Sequence, residues 1–158
     1  MRKSQKNDFS HFSNEYAIQL NDTHPVVSIP EFIRLLVENE GVSFSNAMRI
    51  ANKTFAYTNH TIMAEALEKW DVKLFKSVIP NVYRYVVMIN KALQKELTTM
   101  GITGTAQDQY MIIEENTRIH MARLAIFATH STNGVAQIHT DILKKTALLK
   151  QYLKNSDE

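Results

Sequence analysis

The segment Asn21-Asp-Thr-His-Pro25 places a carboxylate and an imidazole two residues apart, directly after a short apolar stretch. Asp22 and His24 can each form two or more directional hydrogen bonds, which is how a polar pocket recognises hydroxyl groups without a metal. A buried strand that ends at this turn would put both side chains where α/β proteins bind ligands. The functional interpretation is a contact to a sugar or a phosphate. The structural alternative is a strand-to-helix turn in which Asp22 bonds its own backbone and Pro25 fixes the bend.

A second turn has the same organisation. Tyr57-Thr-Asn-His-Thr61 places Asn, His and Thr at the end of another extended stretch, before a predicted helix that contains Glu65 and Glu68. A helix N-terminus close to His60 and Thr61 would favour a hydroxyl-rich or anionic ligand. The alternative is a histidine that serves only as a hydrogen-bonded structural residue. Two such turns favour a ligand site more strongly than one does.

A third segment, His130-Ser-Thr-Asn-Gly-Val-Ala136, places Gly134 after small polar residues. The backbone of a glycine can approach a ligand closely, although Asn-Gly also marks many ordinary turns. The three histidines at 120, 130 and 139 raise a metal hypothesis. Their spacing does not match His-x-His or His-x-x-x-His, and the chain has no Cys, so we predict no metal site.

Local sequence patterns predict the strands and helices that position these turns. Short apolar stretches at Tyr16–Leu20 and Thr54–Thr58 predict buried strands that end at the first two turns. The Ser-x-x-Glu spacing of Ser28 and Glu31 predicts a capping box at the start of a helix that ends near Gly41. A second helix is expected from Ser45 to Lys53.

Helical spacing dominates the second half of the chain. We predict helices at Glu65–Trp70, in a turn capped by Asp71, at Asn81–Thr98 and in the last pattern, 138–153. Met111–Ile113 favours a short strand, while 118–129 fits either a helix or a strand. The expected fold class is α/β, dominated by helices. Two or three buried strands do not make a satisfactory sheet, so the chain is either a fragment or a small self-contained α+β domain.

Composition limits the classes of function. The chain has 158 residues, of which 44% are hydrophobic and 22% are charged, and this is ordinary for one globular domain. Its net charge of +2 favours binding neither to nucleic acid nor to an anionic membrane. No apolar run has the length of a membrane span or a signal peptide, so we expect a cytoplasmic protein, in agreement with the absence of Cys. We divide the chain into a loose polar arm (1–15), a single partial domain (16–153) and a polar end (154–158).

The motifs resemble those of the α-glucan phosphorylases, the glycogen and maltodextrin phosphorylases. The resemblance covers about Tyr16 to Lys145 and is specific, because the motifs also match in order and separation. The matching segments are Ala17-Ile-Gln-Leu-Asn-Asp-Thr-His-Pro25 with Ile29-Pro-Glu31, Thr54-Phe-Ala-Tyr-Thr-Asn-His-Thr61, Glu65-Ala-Leu-Glu-Lys-Trp70, Arg118-Ile-His-Met-Ala-Arg-Leu124 and His130-Ser-Thr-Asn-Gly-Val-Ala-Gln-Ile-His139.

The resemblance implies a transfer that depends on pyridoxal phosphate, in which inorganic phosphate cleaves the terminal α-1,4 bond of a glucan and releases α-glucose 1-phosphate. It implies that His60, with Thr61, lies against the glucosyl unit, and that Asp22 and His24 line the acceptor side. The backbone segment Asn133, Gly134 and Val135 would lie close to the glucosyl and phosphate positions.

Departures from the family pattern shape the expected function. The resemblance implies a two-domain enzyme of the glycosyltransferase-B type, of which this chain is part of the first Rossmann-like half, from the middle of the polypeptide. The Schiff-base lysine and the phosphate-binding basic residues are expected in the other half. His120 and Arg123 stand where an Asn and a His are expected.

We therefore expect a phosphorylase fragment that is inactive alone and binds no cofactor. Its expected partners are α-glucan, phosphate and the missing C-terminal half, with self-association through exposed apolar surface. The alternative is a non-catalytic carbohydrate-binding or interaction module.

Overall fold

The computed structural model describes residues 8–61 and 67–134. This part of the chain is α/β and dominated by helices, as predicted. In chain order the elements are α1 (Phe12–Glu15), β1 (Ile18–Asn21), α2 (Ser28–Glu38), α3 (Phe44–Thr54), β2 (Phe55–Asn59), β3 (Lys69–Asp71), α4 (Val72–Val78), α5 (Pro80–Thr99), α6 (Thr105–Asp108), β4 (Ile113–Glu114), β5 (Arg118–His120), α7 (Met121–Ala128) and β6 (Ser131–Gly134).

Three strands form a parallel sheet in the order β1-β2-β6. Burial alternates along β2, where Phe55, Tyr57 and Asn59 are buried and the residues between them are half-buried. This alternation shows that one face of the sheet packs against the core. Both predicted strands are present, and each ends at the polar turn that the sequence indicates. The prediction that the first strand is buried is wrong, because only Leu20 of β1 is buried while Ile18, Gln19 and Asn21 are exposed.

The other three strands form an antiparallel sheet in the order β3-β5-β4. The predicted helix Glu65–Trp70 is wrong at Lys69 and Trp70, because these residues pair with β5 as a strand. Pairing with a distant segment overrides the local helical pattern here. The segment 118–129 contains both predicted alternatives, since β5 leads directly into α7.

The helix starts are set by local side-chain contacts. The Ser28–Glu31 capping box is wrong, because Val27 is the N-cap, Ser28 Oγ donates to Pro25 O (2.6 Å) and Glu31 pairs with Arg34. Ser28 therefore lies inside the first turn and stabilises the bend that follows the Asp22 turn. The predicted cap at Asp71 is confirmed, since its carboxylate accepts from the Leu74 N–H at 2.9 Å.

Helix α5 is the longest element and packs against α2, α4 and α7. It confirms the helix predicted at Asn81–Thr98. Its buried residues repeat with the helical period: Val82, Tyr85, Val86, Ile89, Leu93 and Leu97. None of the described helices is long and apolar enough to cross a bilayer.

The predicted arm 1–15 is described from residue 8 onwards. Its Phe12–Glu15 segment forms one helical turn, in which Phe12 stacks on Tyr16 (4.6 Å between ring centroids) and contacts Phe32 (5.3 Å). The predicted helix 138–153 and the polar end 154–158 fall outside the described residues.

Candidate functional site

The three parallel strands bring the sequence-predicted site residues to one edge of the sheet. Asn21 pairs with Thr58, and Thr58 pairs with Asn133, so β1, β2 and β6 end side by side. The carboxyl ends of parallel strands are the usual ligand-binding edge of an open α/β sheet. Six of the seven predicted residues lie at or directly after these ends: Asp22, His24, His60, Thr61, Asn133 and Gly134. Val135 falls outside the described residues.

Asp22 is fixed by the turn that follows β1. Its backbone has φ +65°, a left-handed conformation that Asp and Asn tolerate better than other side chains. Its N–H donates to Thr58 O at 2.8 Å, and its Oδ1 accepts from the Thr23 N–H at 2.8 Å. These bonds confirm the local role that the structural alternative assigned to Asp22, and they hold its carboxylate at the edge of the sheet.

Thr61 connects the first two turns. Its hydroxyl lies 3.2 and 3.3 Å from the two carboxylate oxygens of Asp22 and donates to them. Its N–H donates to the side-chain oxygen of Asn59 at 3.1 Å, and the Asn59 amide donates back to Thr61 O at 3.4 Å. Asn59 is only 4% exposed and is therefore the buried support of the second turn. Asn59 belongs to the sequence motif at 57–61, but its spacing there does not indicate this supporting role.

The two histidines at this edge, His24 and His60, are both exposed. A neutral imidazole offers one donor and one acceptor, which suits the hydroxyl groups of a sugar. The exposed Asn133 adds an amide that can also donate and accept. The edge thus presents imidazole, amide and hydroxyl groups around the carboxylate of Asp22.

Tyr57 lies beneath this edge and was not predicted as a site residue. It is fully buried, and burial together with the nearby carboxylates of Asp22 and Glu68 raises the pKa of its phenol. The phenol therefore keeps its proton at neutral pH and is able to donate a hydrogen bond. Its position on the buried face of β2 follows from strand alternation, but its proximity to the carboxylates depends on the fold.

The other histidines that raised the metal hypothesis do not converge. His120 is buried in the antiparallel sheet, with Nε2 lying 3.1 Å from Glu114 Oε2, whereas His130 is exposed with Nδ1 3.1 Å from Asn52 O. His139 falls outside the described residues. Within 8–61 and 67–134 no group of three or more His, Asp or Glu side chains could hold a metal ion.

The edge formed by the carboxyl ends of β1, β2 and β6, with the turns that follow them (the carboxyl edge), does not fit pyridoxal phosphate. A Schiff base needs a lysine and a phosphate group favours cations, yet every lysine in the described part of the chain lies on a helix or on β3. These lysines are Lys53 on α3, Lys69 on β3, Lys73 and Lys76 on α4, and Lys91 and Lys95 on α5.

Comparison with known proteins agrees with the motif resemblance. The carbohydrate phosphorylase family profile matches residues 1–157. The chain is 43% identical over 152 residues to the liver form of glycogen phosphorylase from Bos taurus, which covers 94% of this chain and 18% of that protein. It is 40% identical over 147 residues to the human brain form, covering 91% of this chain and 17% of the relative.

The muscle form of glycogen phosphorylase from Ovis aries is 40% identical over 144 residues, which is 89% of this chain and 17% of that protein. The chain thus spans less than a fifth of the length of these curated relatives. The profile match and the identity nevertheless extend over almost all of the chain. The chain belongs to the carbohydrate phosphorylase family.

Proposed function

We propose that the chain supplies one wall of the glucosyl and acceptor pocket of an α-glucan phosphorylase and does not catalyse phosphorolysis alone. The parent reaction is the phosphorolysis of glycogen or maltodextrin to α-glucose 1-phosphate. One observation carries the proposal: three parallel strands bring Asp22, His24, His60, Thr61, Asn133 and Gly134 to one edge, where the Thr61 hydroxyl joins the first two turns through Asp22.

The chemistry of this edge suits sugar recognition better than phosphate transfer. Hydroxyl, amide, imidazole and carboxylate groups match the donors and acceptors of a glucose unit. A transferred phosphate needs cations that stabilise its charge. Among the described residues, no lysine lies in the turns directly after β1 and β2 or at the end of β6. We infer that the cationic groups and the cofactor, pyridoxal phosphate, come from the C-terminal half of the parent enzyme.

The proposed architecture is a partial Rossmann-like domain of the glycosyltransferase-B type. A three-stranded parallel sheet is small for this class, and parallel sheets in α/β proteins are covered on both faces. The outward face of β1 and β2 is polar or half-exposed at Gln19, Asn21 and Thr58. These features support a sheet that further elements of the parent enzyme extend and cover. We also propose that the parent enzyme is cytoplasmic.

Catalysis requires both walls of the proposed cleft, because positioning and electrostatic stabilisation need reacting groups on both sides of the substrate. The purified chain with pyridoxal phosphate, phosphate and maltoheptaose should release no glucose 1-phosphate. Addition of a separately expressed C-terminal half of a phosphorylase should restore turnover. Turnover by the chain alone would contradict the proposal, as would the absence of turnover in a mixture that forms a complex.

The second candidate function is a non-catalytic carbohydrate-binding module, which the imidazole, amide and hydroxyl groups of the same edge favour. Half a pocket encloses little of a ligand, so the first proposal expects maltoheptaose to bind with a dissociation constant of about 1 mM or weaker. Micromolar binding that His60→Ala abolishes would favour the module. His130→Ala is the matched control, because His130 is also exposed but precedes β6 at the opposite edge of the sheet.

Exposed apolar side chains support the proposed self-association of the isolated chain. On α4, Leu74 is 57% exposed and Val78 is 68% exposed, and Trp70 on the preceding strand β3 is 37% exposed. Leu74 and Val78 are four residues apart and therefore lie on one side of α4, where burial against another surface would be favourable. Sedimentation velocity should show association that increases with concentration and weakens in Leu74→Glu. A monomer at every concentration would contradict this part of the proposal.

A further inference from the structure

Asn59 is a polar residue on the buried face of β2. Burial alternates along this strand, so Asn59 leaves the same face as the core residues Phe55 and Tyr57. It is only 4% exposed, and burying an amide is costly unless its donors and acceptors are paired. Its position therefore calls for hydrogen-bond partners inside the fold and leaves little surface that a ligand could touch.

Those partners belong to the residue on the far side of His60. Asn59 Oδ1 accepts from the Thr61 N–H at 3.1 Å, and Asn59 Nδ2 donates to Thr61 O at 3.4 Å. The first bond closes an Asx-turn, in which the side chain takes the place of a backbone group of a turn. Because both bonds span His60, the main chain is held on each side of this exposed histidine.

The same two residues connect His60 to the other turns of the carboxyl edge. Asn59 pairs in register with Gly134 at the end of β6. The Thr61 hydroxyl donates to the two carboxylate oxygens of Asp22, at 3.2 and 3.3 Å. His60 lies between these connections, so its main chain is fixed relative to both β1 and β6.

We propose that Asn59 is a positioning residue of the sugar-binding wall. Its paired hydrogen bonds to Thr61 hold His60 at the carboxyl edge, and Asn59 itself does not touch the sugar. A segment that is ordered in the free chain does not have to be ordered by the ligand, so these bonds strengthen binding. The effect on sugar binding rests on the proposed function, whereas the ordering of His60 does not.

Asn59→Ala removes both bonds and can be examined by NMR on the intact, isotope-labelled chain of 158 residues. The order parameter of the His60 N–H should fall from about 0.85 to below about 0.6. The dissociation constant of maltoheptaose should rise about fivefold. Asn59→Ser keeps an acceptor for the Thr61 N–H, so it should recover part of both losses. A fall in the order parameter with an unchanged dissociation constant would overturn the role in sugar binding.

Thr54→Val is the matched control for lost stability. Thr54 is fully buried directly before β2, and its hydroxyl donates to Ile50 O at 2.8 Å. This variant also loses a buried hydrogen bond, but it should keep the order parameter of His60 and the dissociation constant of the wild type. Equal changes in Thr54→Val and Asn59→Ala would show a general structural role and overturn the proposal.

Two readouts separate this inference from the proposed function. If maltoheptaose shifts no amide of the carboxyl edge in the wild type, the proposed function fails, and the order parameter alone decides whether Asn59 positions His60. An unchanged order parameter in Asn59→Ala would overturn that positioning. If Asn59→Ala does not fold, the scalar coupling between the Thr61 amide nitrogen and Asn59 Cγ tests the hydrogen bond in the wild type. Its absence would contradict the proposal.

Discussion

The two sheets of this chain handle polar groups in different ways. The parallel sheet carries its polar side chains at an open edge, where Thr61 and Asp22 bond each other and His60 stays exposed. The antiparallel sheet instead buries His120, with its Nε2 3.1 Å from Glu114 Oε2. The first arrangement leaves donors and acceptors free for a ligand, whereas the second uses them within the fold.

This difference supports the proposed distinction between ligand-binding residues and structural ones. Both regions contain histidine and carboxylate groups, so residue type alone does not distinguish them. Topology does: the carboxyl ends of adjacent parallel strands collect side chains from segments far apart in the chain, while antiparallel pairing of β3, β4 and β5 places charges against each other.

The largest effect is expected from Phe55→Ala, which removes a buried ring from the central strand of the parallel sheet. Phe55 is 2% exposed and packs edge-on against Phe32, with ring centroids 5.5 Å apart. The cavity and lost apolar burial should lower the free energy of unfolding by about 3–5 kcal/mol. Lys91→Ala, at an exposed position of α5, is the control and should change it by about 0.5 kcal/mol or less. Equal losses for both variants in urea unfolding would show that the ring does not support the sheet.

A smaller effect is expected from Asp22→Ala, which leaves the Thr61 hydroxyl and the Thr23 N–H without their acceptor. Alanine also tolerates the positive φ at this position less well than Asp. The free energy of unfolding should fall by about 2 kcal/mol. Asp22→Asn keeps an oxygen acceptor and the same backbone preference, so it should lose about 1 kcal/mol or less. The account of this turn would be wrong if Asp22→Ala were as stable as the wild type.

The smallest effect is a pH dependence that belongs to the antiparallel sheet. Burial, with a contribution from Arg123, lowers the pKa of His120 although Glu114 opposes the change. The unfolded chain therefore binds a proton more readily than the folded chain does. The stability that this gives is fully present above the ordinary histidine pKa of about 6.5 and is lost as the pH falls through and below that value.

His120→Gln should remove this part of the pH dependence, which urea unfolding between pH 7.5 and 5 can measure. The pKa of Glu114 is also lowered, by its contacts with His120 and Lys69, but the stability linked to that carboxylate is lost only below about pH 4.5. His130→Gln controls for the loss of an exposed imidazole. A steeper pH dependence in His120→Gln than in the wild type would reverse the assigned sign.

Much of the site was predictable from sequence because its residues follow strands with clear apolar patterns. The strands before Asp22 and His60 end where the turn chemistry predicts, and their parallel pairing brings the turns together. Lys69 and Trp70 were predicted as helix, since strand pairing with β5 is a non-local interaction that no local pattern reports. The proximity of Tyr57 to Glu68 has the same origin and was also missed.

Local chemistry can mislead in the other direction. Ser28 and Glu31 have the spacing of a capping box, but the helix begins one residue earlier than that motif requires, and Ser28 bonds back to Pro25. The arm before Tyr16 is polar in composition, yet the two aromatic residues Phe9 and Phe12 contact each other at 6.4 Å between ring centroids. Phe12 also contacts Phe32 on α2, so in both cases a contact to a residue outside the motif or segment contributes to the structure.

The most direct test of the central claim is a titration of the isotope-labelled chain with maltoheptaose, followed by amide chemical shifts. The account predicts millimolar binding with the largest shift changes at the carboxyl edge, at Asp22, His60, Thr61 and Gly134, and none at Lys69, Glu114 or His120 in the antiparallel sheet. The largest changes around His120, or no changes at any residue at 20 mM ligand, a concentration about 20-fold above the expected dissociation constant, would contradict the assignment of this edge as the sugar-binding wall.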